Sequence, residues 1–164
     1  MTLLKDHLLS PDVRPSLIKD CCVLIDQHVK STKGFAGIAV KSAYTTVKAI
    51  KSRFVEGVVD ALLDEWMGKL EDFEKLFVQN GYPGGTFDVF LIAERVHVAE
   101  ALVSVTDARA ATTKHRTAAK LYHRLRASAL AHVDSAIPDL GRLVLQYGGD
   151  IVPRAQTGAA SASV

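Results

Sequence analysis

The sequence predicts an all-α fold, a single bundle of about six to eight helices. Three observations lead to this prediction. Apolar residues recur at the helical period of about 3.6 along almost the whole chain, which fits far better than the period of two that strands show. Proline and glycine fall where the predicted helices begin and end. The chain has 164 residues, which suits one domain and is long enough to bury a core.

The composition excludes several classes of protein. Apolar residues make up 48% and charged residues 23% of the chain, close to the globular average, so wholesale disorder is excluded. The two cysteines, Cys21 and Cys22, are adjacent, which excludes a disulfide-stapled scaffold and a four-cysteine zinc site. No run approaches the ~20 apolar residues that cross a bilayer, and the N-terminus lacks the apolar core of a signal peptide.

The first half of the chain predicts a series of amphipathic helices. Residues 2–9 carry leucines at i, i+4 spacing, and Pro15 suits the first turn of a second helix that runs to about residue 30. Residues 35–50 carry a regular stripe of small apolar side chains, which suits close helix packing. Residues 53–80 predict one long helix or two shorter ones.

A glycine-rich loop precedes the most apolar helix. Residues 80–85 form the strongest loop signal in the chain, and Gly81 is typical of a left-handed helix stop. Thr86 is then a helix cap, with Asp88 in the first turn. Because the following helix is apolar over most of its circumference, we expect it near the centre of the bundle.

The last third predicts shorter elements and a tail. A turn or helix junction is expected over residues 107–113, followed by helices over 114–125 and 128–136. Pro138 opens a last helix. The predicted domain therefore covers residues 1–149, and residues 150–164, rich in Ala and Ser, are expected to be a disordered tail.

Charge is distributed in three blocks. Residues 1–55 carry a net charge of +5, residues 56–107 a net charge of −8, and residues 108–164 a net charge of +5. Two stretches, 27–55 and 108–133, contain no acidic residue. One interpretation is internal complementarity combined with solvated helix faces. The other is that the two basic stretches form one surface for an anionic partner.

The helix from residue 35 is the best candidate for such a surface, because its basic face lies opposite the apolar stripe. We predict that Lys33, Lys41, Lys48 and Lys51 bind an anionic partner, either a membrane surface or an acidic protein. Self-association into a homo-oligomer is a related expectation. Nucleic acid is disfavoured, because few aromatic side chains interleave with the basic ones. This is our first hypothesis, a non-enzymatic interaction module.

The alternative hypothesis is a small-molecule or metal-binding bundle, which could include an enzyme. Glu94, His97 and Glu100 follow one another at three-residue spacing and share one side of a helix. Four-helix di-iron sites use the Glu-x-x-His step twice, whereas this chain has it once. The same three side chains are also typical of the solvent-exposed edge of a mostly buried helix. No nucleophile elbow, zinc-protease motif or dinucleotide fingerprint occurs, so we assign no catalytic residue and no cofactor.

Three stretches carry a resemblance to a known family. They are Arg14-Pro15 with Asp20-Cys21 and Leu24-Ile25-Asp26, then Lys33-Gly34-Phe35-Ala36-Gly37 with Lys48-Ala49-Ile50-Lys51, and last the stretch from Ala101 to Ala110. In this order they resemble a family of small uncharacterised bacterial proteins, a domain of unknown function, between Leu3 and about Leu145. The resemblance implies a bacterial, cytoplasmic, predominantly helical domain, and it implies no activity and no site residue.

Overall fold

The computed structural model describes residues 3–50 and 53–156, except for the side chains of Phe35 and Ala36. Within these ranges it contains seven α-helices and no strand, which confirms the predicted all-α, single-domain fold. None of these helices is both long and apolar enough to cross a membrane. The helices are α1 (Leu3–Leu8), α2 (Arg14–Ser31), α3 (Gly34–Ile50), α4 (Phe54–Gln79), α5 (Phe87–Ala93), α6 (Arg95–Thr112) and α7 (Arg116–Gly148).

Two long helices, α4 and α7, organise the bundle. Each packs against α1, α2, α3, α5 and α6. Their apolar stripes supply much of the core, where Leu63 of α4 and Ile137 of α7 are fully buried. An aromatic cluster of Phe77, Phe87 and Phe90 closes the end of the core where α4 meets α5. Of the two alternatives predicted for residues 53–80, one long helix or two shorter ones, the structure has one continuous helix, α4.

The helix predicted from Thr86 is two helices. The chain leaves helical geometry at Glu94, which ends α5 and precedes α6. α5 buries Phe87 and Leu91, whereas α6 buries Val98 and Val103 on a separate stripe. The wide apolar surface predicted for a single helix therefore consists of two narrower stripes, one on α5 and one on α6.

The predicted boundaries of the last third are also wrong. α6 runs through the predicted turn to Thr112, and a single 33-residue helix, α7, replaces the three predicted ones. Pro138 lies inside α7, where it lacks the N–H that would donate to the carbonyl four residues earlier. The helix continues because Ile137 and Val144, on either side of the proline, are both buried in the core. Packing of an amphipathic face outweighs the loss of one backbone hydrogen bond.

The chain stays packed against the bundle beyond α7. A 3-10 turn (Gly149–Ile151) leads to Val152, which is 3% exposed, and Thr86 and Arg154 form an isolated antiparallel bridge. The Ala155 N–H donates to the Gly85 carbonyl at 2.9 Å. Part of the expected tail, as far as residue 156, therefore belongs to the domain. Residues 157–164 lie outside the described residues, and their disorder stays a prediction.

Candidate anion-binding surface

Helix α3 carries much of the first basic stretch, and small residues allow it to pack closely against its neighbours. Ala43 is buried and Val40 and Val47 are half-buried, so the predicted stripe faces inward. A Cβ at Gly37 would lie 2.5 Å from the Thr32 carbonyl oxygen, so only glycine permits the close approach of α3 to the end of α2. The opposite side of α3 faces solvent, where the Ile38 side chain is 67% exposed.

The four predicted lysines differ in what they contact. Lys33 and Lys41 are exposed and make no ion pair with any described residue. Lys48 lies 3.8 Å from Asp26 of α2 and 5.1 Å above the ring of Tyr44. Lys30 approaches the same carboxylate at 2.6 Å and holds the pKa of Asp26 below its ordinary value, with Lys48 adding a smaller effect. Lys48 therefore fastens α3 to α2, and Lys51 lies outside the described residues.

The second basic stretch forms a row on the first half of α7. Arg116, Lys120 and Arg124 follow at four-residue spacing, are exposed, and have no acidic partner in the described part of the chain. The side of α7 that carries Leu125 and Ala129 faces the interior, where both line a cleft together with Val40 of α3. The row lies on the opposite side of the helix, toward solvent.

Other cations of the same two stretches bind groups within the protein itself. Arg126 donates to Asp107 of α6 at 2.7 Å, and Arg109 donates to the Ala61 carbonyl of α4 at 3.2 Å. Arg53 pairs with Glu56. The exposed cations of the two stretches that remain for a partner are thus Lys33 and Lys41, the row on α7, and Lys114 just before α7.

Packing of α3 against α7 places the two acid-free stretches on neighbouring helices. The sequence could not establish this neighbourhood, because residues 56–107 separate the two stretches along the chain. Internal complementarity is present as well, and it also joins elements outside the two stretches. Arg14 of α2 donates to Asp60 and Asp64 of α4 at 3.0 and 2.8 Å, and Lys5 pairs with Glu71 at 3.3 Å.

The three residues of the metal hypothesis are only partly brought together. The His97 Nδ1 and Glu94 Oε2 atoms are 2.9 Å apart, the His97 side chain is 70% exposed, and Glu100 is exposed beyond them. Across residues 3–50 and 53–156 no three His, Cys, Asp or Glu side chains are grouped closely enough to hold a metal ion. Metal binding at Glu94, His97 and Glu100 stays a prediction.

The adjacent cysteines are partly buried thiols with little nucleophilic character. Burial raises the pKa of Cys21 to about 12, and burial also raises the pKa of Cys22. A thiol with a raised pKa stays protonated near neutral pH, and only the thiolate attacks or binds metals. Both cysteines pack against the core as small apolar side chains.

Two histidines, His28 and His132, line a cleft between α2 and α7. His28 donates through Nε2 to Asp139 Oδ2 at 2.7 Å, and His132 lies on the same cleft wall as Ser135. The signal for His28 was present in the sequence, since it occupies the next position on the α2 stripe formed by Cys21, Leu24 and Ile25. Its partner, 111 residues away, gave no signal.

The chain belongs to a family of unknown function (DUF6918), whose model matches residues 4–148. This match confirms the resemblance to a domain of unknown function and covers nearly the same range. No curated protein and no solved structure matches the chain. The family membership brings no activity, ligand or site residue to the surface described above.

Proposed function

We propose that the protein is a non-enzymatic interaction module that docks on an anionic surface, foremost a membrane containing anionic lipids, through the basic faces of α3 and α7. One observation supports this proposal above the others. Packing of α3 against α7 sets the two acid-free stretches side by side, with five exposed cations on α7 and α3 that have no acidic partner in the described ranges. These are Lys33, Lys41, Arg116, Lys120 and Arg124.

The row on α7 is unfavourable for the isolated helix. Like charges at i, i+4 spacing destabilise a helix by about 0.2–0.5 kcal/mol per pair. Arg116, Lys120 and Arg124 make two such pairs, and no acid three or four residues away compensates them. An anionic partner removes this repulsion and adds about 1 kcal/mol per cation near a membrane surface.

The exposed isoleucine of α3 favours a membrane over an acidic protein. Ile38 lies on the outward side of α3, between Lys33 and Lys41 in the sequence, and its side chain is 67% exposed. Helices that lie at a membrane interface combine basic side chains with apolar ones that enter the headgroup region. An acidic protein surface would recognise the lysines but would gain little from an isolated Ile38.

Sedimentation with vesicles tests the proposal. The native protein should sediment with phosphatidylcholine vesicles that contain phosphatidylserine, should remain in solution with phosphatidylcholine alone, and should be released by high salt. Double variants Lys33→Glu/Lys41→Glu and Lys120→Glu/Arg124→Glu should each weaken binding by about ten-fold or more. Lys48 is unsuitable for this test, because its substitution would also loosen α3 from Asp26.

The control is Lys19→Glu, which reverses one charge in the same way at an exposed position of α2. It should leave vesicle binding nearly unchanged. Light scattering at low and high salt shows whether the same variants alter self-association. Equal binding to neutral and anionic vesicles, or full binding by both double variants, would contradict the proposal. Salt-sensitive dimers without vesicle binding would indicate that the basic surface binds a second copy of the chain and not a membrane.

A further inference from the structure

An apolar cavity of about 240 Å³ lies between α2, α4, α6 and α7. Its walls include Cys21 and Leu24 of α2, Trp66 and Met67 of α4, Leu102 of α6 and Ala136 of α7. No charged side chain lines it among the described residues. It is a partly open cleft rather than an enclosed void, and mostly apolar clefts are where small molecules bind.

A second space of about 430 Å³ adjoins this cavity on the side of α3 and has a different chemistry. The two spaces share Leu24 and Ala136, and the second adds the hydroxyls of Ser31 and Thr32 and the rings of His28 and His132. His28 is already bonded to Asp139. The Nε2 atom of His132 is buried and has no hydrogen-bond partner in the described part of the chain. Buried polar atoms are nearly always bonded, so an unpaired imidazole nitrogen beside an apolar cavity needs an explanation.

We propose that these joined spaces bind a small amphipathic molecule, with its apolar tail in the inner cavity and an oxygen-bearing head, a hydroxyl or a carboxylic acid, at His132 Nε2. A cavity of about 150 Å³ lined by aliphatic and aromatic side chains binds benzene, so the inner cavity has room for a longer alkyl tail. Ligand sites are mostly apolar, with a few polar groups that fix orientation, and this division matches the two spaces. No Lys or Arg lines either space in the described residues, so the site does not depend on the docking surface.

The protein carries its own reporter for this binding. Trp66, the one tryptophan of the sequence, lines the inner cavity, and its Nε1 donates to the Leu102 carbonyl at 3.2 Å. Separate titrations with octanoic acid, 1-octanol and toluene should each give a saturable change in tryptophan fluorescence. Toluene has no polar head and reports the inner cavity alone.

Two variants separate tail from head. Ala136→Leu should fill the inner cavity and weaken the binding of all three probes by about ten-fold or more, while Ala131→Leu, the same change at an exposed position of α7, should leave it unchanged. His132→Leu should weaken octanoic acid and 1-octanol by several-fold and spare toluene. If Ala136→Leu lacks the native circular dichroism spectrum, Cys21→Met fills the cavity from the opposite wall.

The outcomes discriminate clearly. Loss of toluene binding in the filled variants together with head-specific loss in His132→Leu supports the site as described. Absence of a saturable signal with every probe overturns it, as does unchanged binding in the filled variants. Equal weakening of all three probes by His132→Leu overturns the assignment of the head. Failure of vesicle docking has no bearing on these outcomes, because none of the probes or variants changes the charge of the basic surface.

Discussion

At the scale of the residue, a few polar side chains join helices that are far apart in the sequence. Tyr147 of α7 donates to Asp20 of α2 at 2.5 Å, and Tyr122 of α7 donates to Asp107 of α6 at 2.7 Å. Nothing in the sequence indicated either donor. Helical spacing tells which side of a helix a carboxylate occupies, but the donor comes from another element, and no pattern of spacing names it.

Asp107 gives the clearest test of such a contact. Donation by Arg126, and to a lesser degree by Tyr122, holds the pKa of Asp107 below its ordinary value. A carboxylate with a lowered folded pKa stabilises the fold above its unfolded pKa of about 4, and this contribution is lost as pH falls through the folded pKa. Because the side chain is 39% exposed, we expect Asp107→Asn to cost only about 1 kcal/mol at neutral pH.

Urea unfolding at pH 7 and pH 3 measures this contribution. The loss caused by Asp107→Asn should be present at pH 7 and should shrink at pH 3, which lies below the unfolded pKa of about 4 and nearer to the lowered folded pKa. Asp72→Asn, at an exposed position of α4, should change stability by less than about 0.5 kcal/mol at either pH. A loss of equal size at both values would mean that the charge of Asp107 is not what Arg126 and Tyr122 recognise.

At the scale of the element, the sequence was informative where one helix buries one stripe. The prediction over residues 35–50 matches α3, and the prediction over 53–80 matches α4, because both carry a single inward stripe. It was wrong at Glu94, where two helices meet without a glycine or proline to mark the junction, and at Pro138, where a breaker is overridden. Burial of Ile137 in the core keeps the helix continuous at Pro138, and the local sequence does not show that burial.

Glycine substitutions test how closely α3 approaches α2. Gly37→Ala should gain about 1 kcal/mol of helix propensity, but its Cβ would overlap the Thr32 carbonyl, whose oxygen and carbon lie 2.5 and 2.8 Å away. We expect a net loss of about 1–3 kcal/mol, because backbone must shift to relieve the overlap. Gly57→Ala, at an exposed position of α4 with nothing within 4 Å of the added Cβ, should instead stabilise the protein by about 0.5–1 kcal/mol. Thermal unfolding of both variants measures the contrast, and a stabilised Gly37→Ala protein would show that α3 sits further from α2.

At the scale of the whole molecule, the three charge blocks serve two purposes. The acidic middle block meets the N-terminal block through Arg14 with Asp60 and through Lys5 with Glu71, so part of the charge pattern is internal complementarity. On α7, Arg126 pairs with Asp107, whereas the row of Arg116, Lys120 and Arg124 has no such acidic neighbour among the described residues. The sequence shows how much charge of each sign is present, whereas the packing of α1, α2 and α4 decides which part is neutralised and which part remains for a partner.

The end of the domain is also set by packing of the whole molecule. Val152 is 3% exposed, and its Cγ2 lies so near Gly148 that an added Cβ there would be 2.4 Å away. A chain that ends at Gly148 should therefore lose about 1.5–3 kcal/mol from the burial of Val152, together with the Ala155 hydrogen bond to Gly85. A chain that ends at Gln156 should keep the stability of the full chain, because it retains every one of these contacts. Urea unfolding of both truncated chains compares them directly. Equal stability of the two would place the domain boundary at residue 149, as the Ala- and Ser-rich composition predicts, whereas a loss confined to the shorter chain extends the domain to residue 156.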